Sequence, residues 1–80
     1  MSADNYLYVT RRQDGKFAVV HMFSSGDYSR RQISDMADNS AVAYDTLEEA
    51  VLRAHQADDT EYGVRVNQVD LGEWIVAHGS

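Results

Sequence analysis

The side chains able to do acid–base or ligand chemistry are three histidines and thirteen carboxylates, set against seven Lys and Arg. His21 falls in an apolar run, His55 on the flank of a helical stretch and His78 close to the last residue. No two of them have the short spacing that seeds a metal site with supporting outer groups. With no cysteine in the chain, thiolate ligation, thiol nucleophiles and disulfides are excluded. A hydroxyl nucleophile needs an adjacent base and an orienting acid, whereas Ser24, Ser25 and Ser29 cluster in a turn-rich segment. The glycines form no phosphate-cradling loop. Carboxylates share acid–base work only where an enclosed pocket splits their pKa values, and a chain this short rarely encloses one. The expectation is therefore no catalysis, no metal and no cofactor.

What remains is where the charge lies. Residues 1–31 hold Arg11, Arg12, Lys16, Arg30 and Arg31 against Asp4, Asp14 and Asp27, about +2 in all. Residues 32–80 hold ten acids against Arg53 and Arg65, about −8, which leaves the chain at −6. Phosphate binding needs clustered Lys and Arg, so direct nucleic-acid binding is disfavoured, while attraction to a basic protein surface is favoured.

The elements that must position these groups follow from pattern. Tyr6-Leu7-Tyr8-Val9-Thr10 and Phe17-Ala18-Val19-Val20-His21-Met22-Phe23 are aromatic and β-branched runs suited to strands. Asp14-Gly15 between them is a hairpin signal, since both residues tolerate positive φ. Leu7 and Val9 share one face; Tyr6, Tyr8 and Thr10 share the other. The second run is apolar on both faces, which predicts a central strand. Ser24-Ser25-Gly26-Asp27 reads as a turn, and residues 31–37 as either a helical turn or an irregular strand, broken by Asp38-Asn39-Ser40. Ala41-Val42-Ala43-Tyr44 is a short-strand candidate.

Thr46-Leu47-Glu48-Glu49 fits a capping box, with the acids at the favourable end of the helix dipole. Leu47, Ala50, Val51, Ala54 and Ala57 then form one apolar stripe, and Asp58-Asp59 predicts a stop near Ala57. Glu61 to Asn67 alternates as a strand, and Glu73-Trp74-Ile75-Val76-Ala77 reads as another, after an Asp70-Leu71-Gly72 turn. The sum is an α+β domain over residues 1–80: an antiparallel sheet of four to five strands on one main helix, in the order ββ(x)αββ. At about 100° per residue, Leu52 points outward amid Glu48, Glu49 and Gln56. Glu48, Glu49, Leu52, Asp58, Asp59 and Glu61 are thus the candidate protein-binding residues, an apolar anchor ringed by acids. The outer sheet face, bearing Tyr6 and Tyr8 near Arg11, Arg12 and Lys16, is expected to be covered by the middle segment or by a second copy in a homodimer.

Met1-Ser2-Ala3-Asp4-Asn5 has neither a basic stretch nor an apolar stretch of a leader. No apolar run nears the roughly 20 residues of a membrane span. These features predict a cytoplasmic protein. The string Asp45-Thr46-Leu47-Glu48-Glu49-Ala50, with Tyr6-Leu7-Tyr8-Val9, the Asp14-Gly15-Lys16-Phe17 hairpin and Glu61-Tyr62-Gly63-Val64, resembles small bacteriophage and prophage accessory proteins. That resemblance implies a role in infection such as blocking a host defence system of the CRISPR kind, with the acidic surface standing in for DNA. Thr-Leu-Glu-Glu-Ala after a hairpin is also similar to HicB-type antitoxins, which implies a partial double-stranded-RNA-binding fold that neutralises an RNase toxin.

Overall fold

Gly15 closes the first hairpin with φ +87°, a conformation that a side chain would strain. Its N–H donates to Arg12 O at 3.1 Å, and Lys16 N donates to Asp14 Oδ1 at 2.9 Å. In this computed structural model, which describes residues 4–78, the hairpin joins strands β1 (Asn5–Arg11) and β2 (Phe17–Phe23). They pair antiparallel with Tyr8 opposite Val20. The residues Met1-Ser2-Ala3, read above for a leader segment, lie outside those described.

The chain continues through helix α1 (Arg30–Asp38), helix α2 (Leu47–Ala57), strand β3 (Val64–Val66) and helix α3 (Gln68–Ala77). β3 pairs parallel with β1, Leu7 opposite Val64 and Val9 opposite Val66, so the sheet runs β2-β1-β3. The fold is α+β, but the expected four or five antiparallel strands in the order ββ(x)αββ become three strands of mixed direction and three helices. Alternation assigns residues to faces and is blind to strand direction, so Glu61–Asn67 could not be oriented from the sequence.

The expected closing strand at residues 73–77 is the second half of α3. Asn67 caps that helix, its Oδ1 accepting from Val69 N at 2.9 Å, and the supposed Asp70-Leu71-Gly72 turn lies inside it. Leu71 and Trp74, three residues apart, both pack onto the core. Periodicity does not separate a short apolar strand from a helical segment, and here the helix wins. Residues 41–44 form no strand; Tyr44 makes one bridge to Phe17.

Residues 31–37 belong to α1, which a capping box starts. Gln32 N donates to Ser29 Oγ at 3.2 Å, and Ser29 N donates to Gln32 Oε1 at 2.8 Å. The corresponding Thr46 cap on α2 forms half of its box: Glu49 N donates to Thr46 Oγ1 at 3.1 Å. α2 ends at Ala57, as the like charges of Asp58-Asp59 predict.

Two cores result, one on each face of the sheet. Val9 (0% exposed) and Phe17 meet Leu47, Ala50 and Ala54 of α2, joined by Leu7, Val64, Val66 and by Leu71 and Trp74 of α3. The two alanines let α2 lie close to the strands. On the opposite face Ala18, Val20 and Met22 pack with Tyr6, Tyr8 and Tyr28 against Ile33, Met36 and Ala37 of α1. The expected single helix on one face is thus replaced by helices on both. This explains β2: it is apolar on both sides because both sides are covered, although it is an edge strand and β1 is central. Its outward-facing backbone groups are partly spent, Phe17 on Tyr44 in both directions and Phe23 N on the Tyr28 hydroxyl at 3.2 Å.

Candidate functional site

α2 buries Leu47, Ala50 and Ala54 against the sheet, and this fixes what its other side presents. Leu52 is 55% exposed, and Glu48 and Glu49 stand exposed in the first turn. Asp59 and Glu61 are exposed beyond the far end of the helix, roughly 15 Å away by helical rise. Asp58 behaves differently. Its Oδ1 accepts from Thr60 Oγ1 at 2.5 Å and from Thr60 N at 2.9 Å. Gly63, at φ +76°, donates its N–H to Thr60 Oγ1 at 3.1 Å and closes the turn. Thr60's side-chain and backbone hydrogen bonds hold the Asp58 pKa below the ordinary carboxylate range, with His55 adding to the shift. Asp58 therefore builds the loop that carries Asp59 and Glu61, and Glu61 N ties this loop to β1 by donating to Asn5 Oδ1 at 3.1 Å.

Of the basic residues near the first hairpin, Arg11 and Lys16 meet acids from distant parts of the chain and Arg12 meets one in the turn itself. Arg11 pairs with Glu73 at 2.7 Å and lies 3.9 Å from Asp70. Arg12 pairs with Asp14 at 3.3 Å and donates to Ser40 O at 3.3 Å, and Lys16 lies 3.5 Å from Asp45. Arg65 sits over the Tyr6 ring at 4.6 Å and the Tyr62 ring at 5.7 Å. Among the described residues, Glu48, Glu49, Asp59 and Glu61 have no ion pair within 4.0 Å. Arg53, one turn after Glu49, donates instead to Gln56 at 3.4 Å. Three of the five cations of the first segment, Arg11, Arg12 and Lys16, pair with acids within the fold, whereas Glu48, Glu49, Asp59 and Glu61 make no such pair among the described residues.

Sequence reasoning missed Asp70, a buried carboxylate that joins α3 to the end of β1. It accepts from Arg11 N at 2.7 Å and from Thr10 Oγ1 at 3.4 Å, and Asn67 Nδ2 donates to the same Thr10 oxygen at 3.2 Å. The legible signal was Asn67 three residues ahead of Asp70, a helix start that the turn reading of Asp70-Leu71-Gly72 concealed. A cleft of about 520 Å³ opens here, lined by Tyr8, Arg30, Ser34 and Gln68 among others. Burial raises the Tyr8 pKa above the usual tyrosine range, and the Asp70 carboxylate and Tyr6 push it the same way. Tyr8 is therefore a neutral hydroxyl at physiological pH, and the Asp70 oxygens are committed to holding β1 and α3 together.

The histidines stay apart. His21 Nε2 lies 2.9 Å from Asn5 Nδ2, His78 stacks on Trp74 with centroids 4.2 Å apart, and His55 is exposed on α2. Among the described residues, no three His, Asp or Glu side chains converge as a metal site. Tyr6 and Tyr8, the aromatic pair of the outer sheet face, lie under α1 with rings edge to face at 6.4 Å. The middle segment covers that face. No helix of the described residues is long and apolar enough to cross a membrane. No protein-family model, curated protein or solved structure matches the chain.

Proposed function

We propose that this chain is a non-catalytic interaction module whose α2 side binds a basic protein surface, as a phage-type accessory protein that inhibits a nucleic-acid-handling host protein would. One observation carries the reading: Glu48 and Glu49 on the α2 helix that exposes Leu52, and Asp59 and Glu61 past its far end, make no ion pair among the described residues, while Arg11, Arg12 and Lys16 are paired within the fold. Unpaired acids at the two ends of α2 leave a negative field there, which speeds encounter with a positive surface and fixes its orientation more than it adds affinity. The apolar anchor supplies affinity, since burying the exposed half of the Leu52 side chain contributes about 1 kcal/mol. An RNase toxin is one basic partner of this class, so the antitoxin alternative engages the same face.

The test is affinity capture from bacterial lysate with three baits: wild type, Glu48→Lys with Glu49→Lys, and Leu52→Ser. A basic protein retained by wild type, released by salt and lost with both variants is the expected result. Partners captured equally by all three baits would remove this face from the function.

A further inference from the structure

α2 and α3 leave an open cleft of about 220 Å³ between them. Leu47, Glu48 and Val51 of α2 line it, with Val66 at the end of β3 and Leu71 and Trp74 of α3. Leu47 is buried, but Val51, Val66, Leu71 and Trp74 keep part of their surface in reach of solvent. A cavity of about 150 Å³ with Leu, Ile and Phe walls takes up one benzene ring, so this cleft has room for one apolar side chain. Two features of its wall select the occupant. Glu48, the one charged residue that lines it, makes no ion pair within 4.0 Å among the described residues. Trp74 Nε1 is buried with no hydrogen-bond partner among the described residues, although buried donors are nearly always paired.

We infer that this cleft receives one aromatic or large aliphatic side chain from a segment of a protein partner, with a Lys or Arg next to it in that segment paired to Glu48. Each part of this occupant answers something the cleft leaves open. The apolar side chain covers Val51, Leu71 and Trp74, the cation meets Glu48, and the backbone of the segment brings a carbonyl acceptor for the indole N–H. A hydrocarbon ligand supplies neither the cation nor the carbonyl, and a second copy of a chain at −6 brings acids towards Glu48. The inference rests on reading α2 as the side that meets a basic protein. It adds the pocket in which that partner is anchored, and desolvated pockets of this kind dominate interface energies.

Trp74 is the only tryptophan of the chain, so its fluorescence reports what enters the cleft. The probes are three tripeptides, Lys-Phe-Lys, Lys-Gly-Lys and Glu-Phe-Glu, each acetylated and amidated at its ends. Lys-Phe-Lys is expected to change the emission saturably. The other two should bind at least about tenfold more weakly, one for want of the ring and one by repulsion from Glu48. Glu48→Gln should narrow the gap between Lys-Phe-Lys and Glu-Phe-Glu. Val51→Phe, which puts a ring of the chain's own into the cleft, should abolish the response while the far-UV circular dichroism stays that of wild type. Emission that no peptide changes, equal affinity for all three, or a folded Val51→Phe that binds Lys-Phe-Lys like wild type overturns the inference. Should Val51→Phe not fold, an unchanged gap in Glu48→Gln overturns it. The lysate capture fails separately: selective Lys-Phe-Lys binding with no basic protein captured would overturn the broader reading and support the cleft.

Discussion

The hairpin end of the sheet and the outer side of α2 carry the same kinds of charged side chain, yet they use them in opposite ways. At the hairpin end, Arg11, Arg12 and Lys16 are answered by Glu73, Asp14 and Asp45, and the buried Asp70 draws β1 and α3 together. Around α2, Glu48, Glu49, Asp59 and Glu61 are exposed and make no ion pair within 4.0 Å among the described residues. The difference is one of context. A carboxylate accepting from buried backbone N–H groups organises the fold, whereas a solvated one shapes the field outside it.

The largest expected effect that sharpens this contrast is Asp70→Ala. It leaves Arg11 N and Thr10 Oγ1 without their acceptor, and urea denaturation should show a loss of about 2–3 kcal/mol. Asp59→Ala should stay within about 0.5 kcal/mol of wild type. Equal losses at the two positions would break the distinction between organising and solvated acids.

Charge reversal along α2 comes next. Glu48 and Glu49 occupy the first turn, so changing both to Lys should destabilise the fold by about 1 kcal/mol through the helix dipole. Asp59 lies just past the opposite end, where Asp59→Lys should stabilise it by a few tenths of a kcal/mol, about 0.3 or more. Both changes should weaken capture of a basic partner. If capture instead follows fold stability, rising in Asp59→Lys, then the acids act through the helix and not through the surface field.

Two pH effects are smaller. The Tyr8 pKa is raised in the fold, chiefly by burial, so its contribution is fully present below the unfolded value of about 10. It is lost as pH rises through the higher folded value, because the unfolded chain releases that proton first. Tyr8→Phe should remove this alkaline slope from the stability profile. Asp58 has the opposite sign. Its pKa is lowered by the Thr60 bonds, so its contribution is present above the unfolded value of about 3.9 and lost as pH falls through the lower folded one. Thr60→Val should flatten that acid slope; an unchanged slope would mean that the turn does not hold the carboxylate in solution.

How far these features were legible follows from the range of the forces involved. The hairpin, the Thr46 cap, the stripe of α2 and its stop at Ala57 all depend on residues within a few positions of one another. The face assignments of Leu7 and Val9 against Tyr6 and Tyr8 also held, since strand alternation is local. The Ser29–Gln32 box is equally local, but Ser24-Ser25-Gly26-Asp27 just ahead of it carries a competing turn signal. The apolar run of β2 predicts a strand apolar on both faces, as found, and a central one, which it is not. Two-sided burial here comes from helices on both faces, and sheet order is set elsewhere.

At the candidate site, the exposure of Glu48, Glu49 and Leu52 follows from the helical wheel alone. That Asp58 turns into its own loop, and that Asp45, Asp70 and Glu73 fold back onto the hairpin cations, does not. Sequence by itself determined the elements whose hydrogen bonds and apolar stripes close over three or four residues, together with the net charge. Only the tertiary structure decided the direction of β3, the helical state of residues 73–77 and which charges remain unanswered. Those outcomes depend on partners such as Arg11 and Asp70, far apart in the chain and brought together only when the chain packs.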